Sequence, residues 1–495
     1  MATYIQEFKN RKITSRGIAQ QLISVVDRNF QRRANQQVRM DYYRDNQLVY
    51  LQRAINNQFA FPDRLRLQTE FVNVTRMIVD ELGSLYTDAP IREIMDGTES
   101  DKELFELIAD KASLNSVMDT NNKLVKLCKT TLVRPVWRDD KIEYVIYTPN
   151  MFDVLENPEN PKQPLAIIYA NNYDESQYVS YDGMSYNKVE NQNQFKGTNI
   201  VYHVWTADRH FSFNVEILKS GEKQAIILEN DENPENINPY GTLDIFVPFR
   251  DEFVYDGFFC SGGQDLINAN ELINIKKTEL NYLTKMQSFG VPVRKGADAN
   301  SSSFIADPSM TIDLPADSDM ARGADFKFES PNPKIIELSD DIQSKLRTIA
   351  IKYKLNPEMF SVSGNRSSAE SIQLQNFYLS KAIKRDKSRF ASYEGQLYNA
   401  TRIVNNLHSQ KKLSDNSWLK VSFSDAETPQ TLEQEDKHNL LLFTNGLISK
   451  AEWLLKVDPD LGTIEQAEEK LKKIEAERGG NSGEAQQQSN TLFGQ

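Results

Sequence analysis

Cysteine is nearly missing from this chain: of 495 residues only Cys128 and Cys260 carry a thiol. No disulfide framework can brace such a protein, and a reducing cytosol is its expected place of folding. There is no run of about eighteen apolar residues, so a membrane-spanning helix is not expected. Residues Met1 to Gly17 are charged and lack an apolar centre, so a secretory signal is not expected either. A cationic excess is also missing, because 58 Lys and Arg stand against 70 Asp and Glu for a formal net charge of −12. Proteins that grip duplex DNA concentrate cations to displace its counterions. The acid excess argues against a simple module of that kind and agrees with walls along which nucleic acid slides weakly.

What is present is a succession of helical patterns. The first opens after Gly262-Gly263 and carries Leu266, Ala269, Ile273, Leu280 and Leu283 at three-to-four spacing, with Leu272, Ile275, Tyr282 and Met286 on other faces. From Gln264 to Ser288 it predicts a helix of about 37 Å, stopped by Gly290 and Pro292. Residues Val291 to Pro333 change to short runs, Thr311 to Leu314 and Phe326 to Phe328, separated by Asp, Ser, Gly and Pro; they predict a small β unit. Helical spacing returns with Ile335, Leu338, Ile342, Leu346, Ile349 and Tyr353 and ends at Asn356-Pro357. A loop rich in Ser, Gly and Asn follows, and Ser367 with Glu370 forms a capping-box pair for a third helix through Phe390, Tyr393, Leu397, Ala400, Val404 and Leu407. On this helix Lys381, Arg385 and Arg389 stand four apart and share one face, with Lys384 and Lys387 beside them. Such a stripe is either a solvated face or a contact for phosphate or for an acidic neighbour.

The flanking regions differ in kind. Ile18, Leu22, Val25 and Val26 predict one N-terminal helix and Thr69 to Leu85 another. Between them Arg32, Arg33, Arg39 and Arg44 interleave with Tyr42 and Tyr43, a composition that can bind nucleic acid by charge and stacking but that also serves a subunit interface or a surface helix, as nearby Asp41 and Asp45 suggest. The runs Thr131 to Val136, Tyr144 to Tyr147, Ala166 to Tyr169, Tyr178 to Tyr181, Ile200 to Trp205 and Ala225 to Leu228 predict strands, with Asp182-Gly183 as a hairpin turn. After Asp425, Ser449 with Glu452 and Thr463 with Gln466 form capping boxes of short helices. The Gly- and Gln-rich end from Gly479 to Gln495 is expected not to fold alone.

This order of elements resembles the portal proteins of tailed bacteriophages from about Gly262 to Ser409. The resemblance extends to Asn73 to Pro90, similar to that family's N-terminal helix, to Val421 to Asp425 with Pro429 as a closing strand and turn, and to Gly446 to Ser449 with Glu452 as a turn of the crown. The resemblance implies an α+β portal fold: an N-terminal wing over 1–258, stem helices over 259–290 and 334–355, and a clip over 291–333. A tunnel loop would cover 356–368, a long wing helix and closing strand 369–428, a crown 429–478 and a tail 479–495. It implies a homo-oligomeric ring of about twelve subunits at one capsid vertex, assembled in the host cytoplasm and resident in the virion. Its partners would be the terminase packaging motor, the major capsid and scaffolding proteins, neck or tail adaptors, and double-stranded DNA bound without sequence preference. Ser363, Gly364, Asn365, Arg366 and Ser367 would then face the DNA channel. Lys381, Arg385 and Arg389 would meet phosphate or a neighbouring subunit, and Asn300, Ser301, Ser302, Ser303 and Phe304 would form the clip surface that docks motor and adaptor.

Two other classes stay open. A head-tail adaptor or other structural virion protein would share the composition, although the paired helices, clip and loop are not expected of it. A metal-dependent DNA-processing enzyme needs a site. There is no Gly-x-x-x-x-Gly-Lys-Ser/Thr loop, and the spacing of His203, Asp208 and His210 is not that of a common ligand pair. The acids from Asp425 to Asp436 fit a helix start better than a metal cluster, and His408 and His438 have no nucleophile or carboxylate at a recognisable spacing. No catalysis, metal or cofactor is expected. Incubated with ATP or duplex DNA in magnesium or manganese, the purified chain should give no turnover above buffer. Turnover that survives purification and disappears when a carboxylate is replaced would overturn this.

Overall fold

A computed structural model describes residues 14–58, 67–170, 179–181, 186–188, 201–217, 222–231, 233–252, 257–289, 291–295, 312–314, 325–329, 335–360, 369–424, 432–446, 448–457, 463–464 and 466–474. Contacts divide the chain into two units, one of residues 1–366 and 374–424, the other of 367–373 and 425–495. The chain is mixed α and β. Helices α1 (Ser15–Arg28), α2 (Phe30–Tyr43), α3 (Leu48–Gln58) and α4 (Val74–Leu82) lead to strand β1 (Ile91–Met95) and helices α5 (Glu99–Lys111) and α6 (Leu114–Cys128). Strands β2 (Thr130–Arg138), β3 (Lys141–Tyr147), β4 (Phe152–Leu155), β5 (Ala166–Ala170), β6 (Val179–Tyr181), β7 (Tyr186–Lys188), β8 (Val201–Thr206), β9 (His210–Ile217), β10 (Lys223–Ile227) and β11 (Val247–Arg250) follow. Then come α7 (Gln264–Phe289), β12 (Val291–Lys295), β13 (Ile312–Leu314), β14 (Asp325–Glu329), α8 (Ile335–Lys352), α9 (Ala369–His408), β15 (Trp418–Ser422), α10 (Leu432–Thr444) and α11 (Lys450–Val457). No helix among the described residues is long and apolar enough to cross a membrane.

The strands assemble by alternation. Five of them form an antiparallel sheet in the order β10-β9-β8-β5-β4. Ile168, Val204 and Phe213 turn one way, onto Ile18, Leu22 and Val26 of α1. Ile167, Tyr169 and Trp205 turn the other way, into a second cluster with Phe246, Phe258 and Val404. The period of two thus supplies apolar residues to both faces, which is why β5 reads as an unbroken apolar run. A third cluster sets Phe390, Tyr393, Leu397 and Tyr398 of α9 against Phe105, Met118, Val133 and Leu419; each fully buried large side chain there is worth about 2 kcal/mol. Strand β15 closes this region by pairing antiparallel with β1.

The arginine-rich N-terminal stretch is used internally. Arg33 and Arg32 both pair with the buried Asp153 of β4, and Arg32 also donates to the carbonyls of Pro149 at 2.7 Å and Phe152 at 3.1 Å. The Arg32 guanidinium lies 3.7 Å from the centre of the Phe259 ring, and Arg39 is buried as well. Arg32 and Arg33 thus fasten α2 to β4 and Arg39 lies against Gly263, so these three are taken up inside the fold, whereas Arg44 is exposed. The reason α2 carries so weak an apolar pattern is the same: Arg33, Gln36 and Arg39 occupy its buried face.

Helices α7 and α8 form an antiparallel hairpin. Lys276 pairs with Asp341, and eleven residues back on α7 and eleven onward on α8, Asp265 pairs with Lys352 at 2.6 Å. Those equal and opposite steps span about 16 Å of helix. Gly262 and Gly263 precede α7 with φ of +103° and +84°, values that suit glycine. Directly after α7, β12 stands between β13, to which it is parallel, and β14, to which it is antiparallel. The expected stop at Gly290 and Pro292 is therefore also the start of a central strand. Among the described residues the pairing of β12 with β13 runs from Val293, and that with β14 includes Pro292. The expected strands near Thr311 and Phe326 correspond to β13 and β14, and β6 pairs with β7 around the Asp182-Gly183 turn, which itself lies outside the described residues.

In the second unit the Ser449–Glu452 capping box is formed, with Glu452 N donating to Ser449 Oγ at 3.2 Å and Ser449 N to Glu452 Oε2 at 2.7 Å. Phe443 of α10 meets Trp453 of α11 with ring centroids 5.8 Å apart. The tail from Gly479 lies outside the described residues.

His210 offers a test of the five-stranded sheet. Its ring stacks on Trp205 with centroids 3.6 Å apart, and burial, with the charges of Arg134 and His203, lowers its pKa to about 4. Stability is therefore complete above the unfolded value near 6.5 and is lost as pH falls toward 4, because the unfolded chain takes up a proton that the folded chain refuses. Replacing His210→Gln should flatten that part of the stability–pH curve measured by urea unfolding. A slope equal to wild type would mean that His210 titrates freely.

Candidate functional site

The three basic residues singled out on α9 do not act alike. Lys381 and Arg385 are exposed, and neither makes an ion pair or hydrogen bond among the described residues, whereas Arg389 is half-buried and bound to Asp386 one turn earlier. Arg385 and Arg389 line a cleft of about 610 Å³ in the first unit. Around them are Lys126 and Lys129 from the end of α6, Asp251 and Glu252 after β11, and Lys352, Tyr353 and Lys354 from the end of α8. Two helix C-termini thus bring their basic last-turn residues to one place, where such residues favour the helix dipole. Nothing in the spacing of 126, 129, 352 and 354 along the chain signals that they meet.

The floor of the cleft is a buried charge network. Lys126 Nζ lies 2.7 Å from Asp251 and 2.6 Å from Asp386, and Lys129 Nζ lies 2.8 Å from the other oxygen of Asp251. Burial favours the neutral form of Asp251, but the two ammonium groups overcome it and hold the carboxyl well below its ordinary range. Burial likewise pulls Lys126 down, and Asp251 with Asp386 outweighs it and raises its pKa. Both groups are therefore charged at neutral pH. Their contribution to stability is lost below the ordinary carboxylate range on one side and above the ordinary lysine value of 10.5 on the other.

On the rim, Lys352 pairs with Asp265 at 2.6 Å, while the exposed Lys354 side chain makes no ion pair or hydrogen bond among the described residues. Lys354 also occupies the left-handed region, with φ of +63°. Its N–H donates to Ile351 at 3.0 Å and the N–H of Leu355 to Ala350 at 2.9 Å, the paired bonds of a Schellman cap. Glycine is the usual residue at that position, and a side chain there costs about 1 kcal/mol. In sum the lining carries six cations against three carboxylates.

This arrangement suits binding of an anionic surface by charge. The cleft lining contains no His or Cys, and no group of three or more His, Cys, Asp or Glu among the described residues is placed to hold a metal. His203 hydrogen-bonds Ser212 at 2.9 Å through Nδ1, and His210 stacks on Trp205. Burial pushes the Cys128 thiol up to about 12, far from a nucleophile's range. The expected tunnel-loop residues Ser363, Gly364, Asn365, Arg366 and Ser367, and the expected clip residues Asn300, Ser301, Ser302, Ser303 and Phe304, lie outside the described residues.

No family model matches the chain, and no curated protein matches it. Among solved structures, the chain is similar to one in the virion of a native gene transfer agent particle, with a TM-score of 0.38 and 10% identity over 77% of this chain and 88% of that one. It is also similar to a chain in the neck of the empty gene transfer agent particle computed with C6 symmetry, with a TM-score of 0.38 and 11% identity over 78% and 89%. Likeness of that degree does not by itself assign a function.

The network is open to a direct test. Lys126→Met keeps the volume of the side chain but leaves two carboxylates without the ammonium between them, and should cost about 3–5 kcal/mol at neutral pH. The deficit should shrink at acid pH, because a buried carboxylate that has lost one of its two cations takes up a proton more readily than in the intact network. Urea unfolding at the two pH values measures both; a loss below about 1 kcal/mol, or one independent of pH, would remove the network as a structural tie.

Proposed function

We propose that this chain is the subunit of a portal ring, a non-enzymatic conduit for double-stranded DNA at one vertex of a viral capsid. The observation that carries the reading is the antiparallel hairpin of α7 and α8 with the three-stranded sheet of β12, β13 and β14 inserted between them, followed in the chain by the forty-residue helix α9. A helical stem with a β clip and a long wing helix has that order. The stem also leaves apolar side chains uncovered: Leu272 on α7 and Ile336 and Ile351 on α8 are exposed. Side chains of that kind on both helices of a hairpin require neighbours, and repeated copies around an axis supply them.

In this proposal Arg366 gives one phosphate contact per subunit, and the neighbouring Ser, Gly and Asn residues keep the loop small and free of sequence preference. The segment around Asn300 to Phe304 docks the packaging motor during DNA entry and an adaptor afterwards, while the capsid and scaffolding proteins surround the wing. A net charge of −12 per subunit keeps contact with the passing duplex weak. Electron microscopy of the purified protein, alone and coexpressed with capsid components, should find closed rings whose opening admits duplex DNA. A chain that stays monomeric across salt and concentration, with no rings in either preparation, would remove the proposal.

A further inference from the structure

Two surfaces of the first unit are complementary and cannot meet within one copy. One is the cleft, where the side chains of Lys354 and Arg385, with Lys381 one turn before Arg385, are exposed and make no ion pair or hydrogen bond among the described residues. The other is the outer face of α5. There Glu103, Glu106 and Asp110 follow one another at steps of three and four, so they share a face, and all are exposed. None of the three makes an ion pair among the described residues. Like charges at this spacing weaken an isolated helix, and Leu107, exposed to 45%, sits among them. The buried side of α5 fixes where this face lies: Phe105 meets Tyr398 of α9 with ring centroids 5.1 Å apart, and Asp101 accepts from Ser414. Arg385 is thirteen residues nearer the start of α9 than Tyr398, about 20 Å along the helix. One copy therefore presents its acids well away from its own cleft.

We propose that the cleft is the receiving half of a head-to-tail contact and that Glu103, Glu106, Leu107 and Asp110 of a second copy enter it. The inference rests on the ring reading above and names the surfaces that join its subunits. Two different patches meeting in this way make a heterologous contact, which propagates and closes into a ring when the rotation permits. Leu82 and Ala382 give the cleft an apolar wall for Leu107, surrounded by charge, the usual anatomy of an interface. A DNA backbone fits less well, since its phosphates offer no apolar group to set against Leu82 and Ala382. The strained Lys354 points the same way. Glycine would relax the Schellman cap, and a lysine at φ +63° places a cation on the rim of this cleft at a cost of about 1 kcal/mol.

The test is a charge exchange. A cleft-reversed chain carries Lys354→Glu and Arg385→Glu, a face-reversed chain carries Glu103→Lys, Glu106→Lys and Asp110→Lys, and a third carries all five. Light scattering coupled to size separation, at about 0.1 M and about 0.5 M salt, should show that each reversal lowers the assembled fraction at least tenfold at low salt. The five-fold variant should restore it, and high salt should weaken wild type. Lys354→Gly should raise the thermal midpoint by about 2 °C while weakening assembly, a pair of effects that a purely structural lysine would not give. Rings that persist in every variant would leave the ring reading standing and remove this contact, as would a five-fold variant that folds but does not assemble. Charge-dependent assembly into open chains would keep the contact and remove the ring. A cleft reversal that spares assembly but abolishes binding of a short duplex DNA, followed by fluorescence anisotropy, would make the cleft a phosphate site and overturn the inference. A wild type that never assembles removes both.

Discussion

One buried ammonium group organises the first unit. Lys126 stands between Asp251 and Asp386, carboxylates that are far apart in the chain and that enter from the end of β11 and from α9. Taking three charges out of water is costly, and a well-packed apolar replacement of the whole set can be as stable. What the network supplies is position. It holds the basic stretch of α9 against the end of α6 at a fixed height, because any shift would leave a carboxylate buried without its partner. Arg389 is drawn inward to Asp386 by the same arrangement, and Arg385, one turn away, is left at the rim. The division of one basic stripe into a structural member and a free member follows from a single ion-pair geometry.

A second constraint is neutral and equally buried. On α7, Asn270, Asn274 and Thr278 recur every four residues and are shielded from solvent. They bond the chain that approaches α4: Asn274 accepts from Val72 N at 2.8 Å, Asn270 accepts from Thr75 N at 2.8 Å and donates to Val72 O at 2.9 Å, and Thr278 accepts from Glu70 N at 3.1 Å. Gln47 accepts from both asparagines. The stripe does for the backbone of 70–75 what a neighbouring strand would do, satisfying donors and acceptors that burial would otherwise leave costly. It binds the chain entering α4 to one helix of the α7–α8 hairpin. It also explains why α7 has apolar residues on several faces: apolar side chains pack on either side of a polar seam.

These two devices leave opposite outer surfaces. The α7–α8 hairpin exposes isolated apolar groups, α9 exposes the side chains of Lys381 and Arg385, and α5 exposes Glu103, Glu106 and Asp110. An acidic protein of this size has no shortage of solvated charge, so what sets these groups apart is geometry: they lie on rigid elements, in two patches, each without partners of its own.

Much of the fold was legible in the chain itself. The bounds of α7 and α8 follow from three-to-four spacing, most wing strands from β-branched and aromatic runs, and the Ser449–Glu452 cap from two residues three apart, because each depends on local periodicity or local hydrogen bonding. Where local rules misled, a distant partner was responsible. Helix α2 carries little apolar pattern because Arg32 and Arg33 meet Asp153 more than a hundred residues away. The basic stripe on α9 could be seen in the sequence, but whether each of its members was free or bound could not. That depended on Asp251, Lys126 and the ends of α6 and α8 arriving at the same place, and charge interactions across a cleft are fixed by distance in space, for which separation along the chain is no guide.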